Sequence, residues 1–247
     1  MKLKSTDLLR YGLWLGVLNT ANANRKYFGL PTTWVIHLTL NSLILFLPEL
    51  AQATAYVLQL KGRARFKHDL LTTLYYVTED VVVNNPNYAL LVAPVPVAYM
   101  VSHPKFNIYK GDFAQLRFLG FGLDAIPHST TAFGFTNLAM DALDSLRKHT
   151  PRDAKWRSLV VMADKHSAEI AGAFLASASV LYESGEYEIH AEELREAHGD
   201  ESKINMEWSV QDTTFDLLSN TLGWLAGVVW RKRQKGVKPR IYANRRE

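Results

Sequence analysis

Residues 212–227 read DTTFDLLSNTLGWLAG. The stretch is apolar enough to lie in a bilayer, yet Asp212, Asp216 and Asn220 recur every four residues. At about 100° per residue that spacing keeps all three on one helix face. Gly223 and Gly227 continue the same step, and a small-xxx-small pair lets a second backbone approach closely. A helix whose acids and glycines share one stripe, with Leu and Trp elsewhere, fits a membrane helix that turns its polar side toward other helices. The competing reading is a C-terminal amphipathic helix of a soluble protein.

The composition sets outer limits. The 247 residues are 48% apolar, enough for a sizeable core, and contain no Cys, which excludes disulfides and thiolate chemistry. The mean hydropathy of −0.09 is low for a multispan protein. A charged tail and an acidic loop at 186–207 lower that average.

Moving outward from the C-terminal helix, five more apolar stretches appear. Residues 1–23 imitate a secretory signal, with Lys2, Lys4 and Arg10 before YGLWLGVL and the small-x-small Ala21-Asn22-Ala23; they are read as a short first span or an interfacial helix. Residues 32–60 form the longest apolar run, with Pro48 expected to kink it and His37, Asn41 and Glu49 as its polar members. A mixed segment at 68–83 is expected to lie along the surface, before the turn NNPN at 84–87. Residues 89–102 are broken by Pro94 and Pro96, which a bundle tolerates where neighbours satisfy the freed carbonyls. The run 113–146 carries Asp124 and His128 four apart around Pro127, and 157–183 passes from a polar half to the small-residue IAGAFLASASVLYE.

Spans near 8–20, 34–60, 87–103, 114–146, 157–183 and 212–230 divide the basic residues unequally. The segments 1–10, 61–67, 147–157 and 231–247 hold 20 of the 28 Lys and Arg, and the opposite loops hold six. By the positive-inside rule both termini face the cytoplasm. The expectation is an all-α, polytopic helical membrane bundle of about six transmembrane helices with a polar interior, in a cytoplasmic (inner) membrane. It forms one domain over 1–247: N-terminal helices to 112, a helical unit at 113–230 and a basic tail at 231–247. The tail RKRQKGVKPR is read as an anchor to anionic lipid rather than a nucleic-acid patch. Trp14, Trp34, Trp156, Trp208 and Trp230 fall near the expected span ends. His103, His149, His190 and His198 are placed in solvated loops, and EELRE near 192–196 in a short exposed helix.

Three pieces carry the candidate chemistry: the Asp124–His128 pair, the group Tyr182-Glu183 with Gly185-Glu186-Tyr187, and the 212–227 motif with Asp212, Asp216, Asn220, Gly223 and Gly227. In this order, over residues 113–230, the chain resembles the VanZ-like integral membrane proteins and the related YjdF-like group. Those families show an Asp and a His four apart, a Glu near the end of a later helix, and a final D-x-x-x-D-x-x-x-N-T-x-G helix. The long acidic spacer before Asp212 is shared with the YjdF-like group; the simplest VanZ-like pattern is shorter. The resemblance implies a helical membrane protein with polar residues gathered inside. VanZ-like proteins are linked with reduced glycopeptide susceptibility, and the resemblance carries no defined reaction.

Physical chemistry reaches the same residues independently. One ionised side chain at a span centre costs about 2.5–3.5 kcal/mol, so four unpaired carboxylates (Asp124, Glu183, Asp212, Asp216) would cost about 10–14 kcal/mol. That rivals the stability of a whole domain, about 5–15 kcal/mol. The acids must therefore be paired, protonated, hydrated or bound to a cation. His128, Lys165 and Arg117 are the available basic groups. The candidate cluster is Asp124, His128, Glu183, Glu186, Asp212, Asp216 and Asn220, with a divalent metal site at Asp124, His128, Glu183 and Asp216. Four uses of these residues stay open: a structural polar network, a proton or cation path, binding of a lipid headgroup or small molecule, and metal-dependent turnover of a lipid-linked substrate. The leading expectation is a cell-envelope membrane protein acting by binding. The alternatives are that enzyme and an accessory subunit of a larger membrane complex. Membrane lipids and partner membrane subunits are the expected partners.

Overall fold

A computed structural model describes residues 5–28, 31–60, 69–201 and 208–243. The basic segment 61–67, Lys2, Lys4, Lys203 and residues 244–247 lie outside the described residues.

The described chain is mostly helical. α1 (Ser5–Phe28) and α2 (Pro31–Leu60) pack together, and α2 runs through Pro48 as one helix. α3 (Asp69–Thr78) continues into one turn of π-helix at Glu79–Val83. After the NNPN turn come the short α4 (Tyr88–Val92) and α5 (Pro94–Met100), separated at Ala93 just before the first proline. α6 (Ala125–His149) and α9 (Val210–Ala243) form the most extensive helix pair, and α8 (Ser167–Glu196) packs on both, following the short α7 (Arg157–Lys165).

Several expectations are corrected by this layout. The apolar run 113–146 is not one helix. It opens with a 3₁₀ turn at Gly111–Gln115 and a short two-stranded hairpin, β1 (Arg117–Phe118) and β2 (Phe121–Gly122), a small exception in an otherwise all-α fold. Leu119 and Gly120 occupy the hairpin's turn, both at positive φ (52° and 89°), the geometry a two-residue hairpin requires. The run 157–183 breaks at His166 between α7 and α8. α8 extends to Glu196, so half of the expected acidic loop, EELRE included, is the end of a long helix. α9 likewise does not stop at RKRQK but continues to Ala243.

Small apolar clusters hold the helices together. Val17, Ala21 and Tyr99 join α1 to α5; Leu45, Tyr88 and Val92 join α2 to α4; and Met140, Ala171 and Val228 join α6, α8 and α9. Much of what is buried is polar: Arg10, Asn41, Thr136, Asn137, Glu183, Asp216 and Ser219. Arg10 donates to Glu49, Asp7 and the Leu45 carbonyl, clamping α1 to α2. Arg231 pairs with Asp141 and Asp144, and Arg147 with Asp164 at 2.6 Å, tying the far ends of α6, α7 and α9 together. His149, expected in solvent, stacks on Tyr76 and sits 2.9 Å from Asp80. His190 is likewise helical, not in a loop. Outside, α9 shows Leu218, Leu222, Leu225 and Val229, and α2 shows Val35, Ile36, Leu40, Leu43, Leu47 and Leu50.

Among the described residues one helix is long and apolar enough to cross a membrane: Val35–Val57 of α2, only 17% of it buried within the fold. The pair Leu70–Val83 and Tyr88–Met100, bent by 83°, passes the same test when taken as one broken crossing.

Candidate functional site

α6 and α9 both begin at the site. Ser209 caps α9, its hydroxyl accepting from the Asp212 amide at 3.1 Å. Asp212 lies in the first turn of α9, and Asp124 is the residue that precedes α6. Carboxylates at helix starts are favoured by the partial positive charge there. Asp216 comes one turn later on the face that meets α6.

The glycines explain how closely the two helices approach. A Cβ on Gly223 would collide with the Ser129 carbonyl of α6, and one on Gly227 would sit 2.9 Å from Thr136 Cβ. With no side chain at either position, α9 lies against the α6 backbone and brings Asp216 beside His128.

Asp124, Asp212 and Asp216 each offer a carboxylate oxygen, all three within 4.8 Å of one another. Asp216 is only 6% exposed, and its Oδ1 is 3.5 Å from His128 Nε2. Arg117, on the hairpin, donates to Asp212 at 2.9 Å. The hairpin is held over the start of α9 by Phe121, whose ring meets Phe215 edge-on at 4.9 Å. Asp124 is folded back against Gly122, where a side chain would strike its carboxylate.

Glu183 stands apart from these three. It is 6% exposed and accepts from Thr213 at 2.9 Å, about 100° around α9 from Asp212. Asn220 donates to Ser179 at 3.0 Å, and Trp224 donates to the Ala168 carbonyl at 2.9 Å. These contacts form a polar ladder between antiparallel α8 and α9. The metal set read from sequence, Asp124, His128, Glu183 and Asp216, is thus rearranged: Asp212 takes the place of Glu183 in the closest group. Glu186 lies on α8 one turn beyond the 157–183 span. Burial, and then the Glu183 carboxylate, push it up to about 7. In the loop before the hairpin, burial holds the Tyr109 hydroxyl above its ordinary value, and Asp124, Asp216 and Glu186 add to that.

Sequence reasoning passed over Ser209, Thr213, Ser179 and Tyr109. Two had a readable signal: Ser209 stands three residues before Asp212, a capping distance, and Ser179 stands four before Glu183 on one face of α8. Nothing local marks Tyr109.

Compared with known protein families, characterised proteins and solved structures, the chain matches none.

Proposed function

We propose that this chain is an integral membrane protein of the VanZ-like kind, with six crossings and cytoplasmic termini, that binds a divalent cation in its interior. The observation that carries the binding is the meeting of Asp124, Asp212 and Asp216 within 4.8 Å, with Asp216 buried. Three carboxylates this close repel one another, and His128 and Arg117 supply at most two opposing charges. An ion bonded to each oxygen at about 2.0–2.6 Å requires oxygens no farther apart than about 5 Å. The donors therefore fit a metal. An all-oxygen set suits magnesium, calcium or manganese, and His128 Nε2 as a fourth donor shifts the preference toward manganese or zinc.

Membrane placement is supported by the partition of side chains. α9 turns Asp216, Ser219, Gly223 and Gly227 inward, and Leu218, Leu222, Leu225 and Val229 outward. Water favours the opposite arrangement. The unequal sharing of Lys and Arg between alternate loops supports the orientation.

Metal analysis of the purified full chain, followed by equilibrium dialysis with manganese, zinc and magnesium, tests the binding. About one equivalent is expected, weakened about tenfold or more by Asp216→Asn or Asp124→Asn, as loss of a coordinating group or its support costs metalloproteins. No stoichiometric ion, or binding indifferent to both substitutions, refutes it. Arg117, 36% exposed at the rim of the triad, favours a second reading in which the bound ion polarises a phosphoryl oxygen of a lipid-linked substrate that Arg117 holds. Turnover of lipid-linked pyrophosphate that disappears in Arg117→Ala distinguishes this enzyme from a pure binding protein.

A further inference from the structure

The geometry points to a second ligand site, a cleft between α8 and the start of α9 that takes an organic ammonium group carrying a hydrogen-bond acceptor. This goes beyond the cation triad and does not depend on it. The cleft has a volume of about 430 Å³, within the range of small-molecule sites. Val180, Leu217, Glu183 and Glu188 line it. Glu183 is buried. Thr213 donates to it, and among the described residues no Lys or Arg comes within ion-pair distance of it. Tyr187 and Trp208 form a corner beside these carboxylates, ring centroids 4.9 Å apart and planes at 66°. Trp208 Nε1 is buried and, among the described residues, has no hydrogen-bond partner.

Each feature narrows the ligand. A buried carboxylate with no Lys or Arg in ion-pair range among the described residues disfavours an anion and a neutral apolar molecule. The aromatic corner adds no metal donor to the two carboxylates, whereas aromatic faces next to a carboxylate are how proteins bind ammonium groups. The unpaired indole N–H calls for an acceptor oxygen close to that ammonium. Ethanolamine has this arrangement, and it occurs both free and as the headgroup of phosphatidylethanolamine.

The test uses the full chain. Binding of radiolabelled ethanolamine in detergent probes the free amine. Native mass spectrometry from nanodiscs of phosphatidylethanolamine, against nanodiscs of phosphatidylglycerol alone, probes the lipid. Saturable binding in either arm is expected, weakened about 30-fold or more by Glu183→Gln and about fivefold or more by Trp208→Leu. Manganese binding at the triad stays unchanged in Trp208→Leu. Should Glu183→Gln fail to fold, Trp208→Leu and Glu188→Gln carry the comparison, with monodisperse elution as the folding control. Absence of binding in both arms, or wild-type binding by the folded variants, overturns the assignment. Loss of manganese binding with intact ammonium binding would count against the triad alone.

Discussion

Arg10 shows how far a single residue can be misread from its neighbours in sequence. Beside Lys2 and Lys4 it resembles the charged lead of a targeting segment, yet it is buried and makes bonds of 2.6 and 2.7 Å to Glu49, 39 positions away. Removing one partner of such a pair strands the other, so Arg10→Met should destabilise the fold by about 3–5 kcal/mol. Replacing both, Arg10→Met with Glu49→Leu, should recover most of that loss. Thermal unfolding of the two variants in one detergent decides it; a double variant as weak as the single would be the contrary result. Glu186 gives the second prediction at this scale. Its carboxyl titrates near 7 in the fold and near 4.3 in an unfolded chain. The fold thus binds the proton more tightly than the unfolded chain does. Its contribution to stability is complete below about 4.3 and disappears as the pH rises through 7. Melting temperature should fall between pH 5 and 8, and Glu186→Gln should flatten that decline. A slope that is the same in both proteins would remove Glu186 as its source.

At the scale of elements, the α6–α9 contact is set by two residues without side chains. A Cβ at Gly223 meets the backbone carbonyl of Ser129, which cannot rotate away, whereas one at Gly227 meets mainly the Thr136 side chain. Gly223→Ala should therefore cost about 3 kcal/mol and Gly227→Ala about 1 kcal/mol, within the usual range for overpacking. The order of the two, read from thermal unfolding, is the test, and equal effects would contradict close backbone packing at Gly223. This contact was legible in sequence because its signal is local: acids, amide and glycines at one four-residue step. The hairpin at 117–122 was not legible. The run 113–146 reads as one mostly apolar stretch, and the positive φ of Leu119 belongs to a turn that Phe121 and Phe215 hold in place from different elements. That Asp212 rather than Glu183 lies within 4.8 Å of Asp124 and Asp216 was not legible either. Which residue of α8 faces which residue of α9 depends on the register between the helices, and no spacing within either helix encodes it.

At the scale of the whole molecule, membrane placement rests on the partition along α9, with Asp216, Ser219, Gly223 and Gly227 inside and Leu218, Leu222, Leu225 and Val229 outside. The chain has no Cys, so single cysteines can be introduced against a silent background. Three positions separate the alternatives. Leu222 lies on the outer face of α9, Gln234 lies beyond its apolar part on the basic side, and Glu201 lies in the acidic connection before it. The direct measurement is labelling of Leu222→Cys, Gln234→Cys and Glu201→Cys by a membrane-impermeant maleimide. The account predicts that Glu201→Cys reacts in intact cells, Gln234→Cys only when the cytoplasmic face is opened, and Leu222→Cys only after denaturation. Equal labelling of all three in an aqueous extract, with the protein recovered free of membranes, would contradict it.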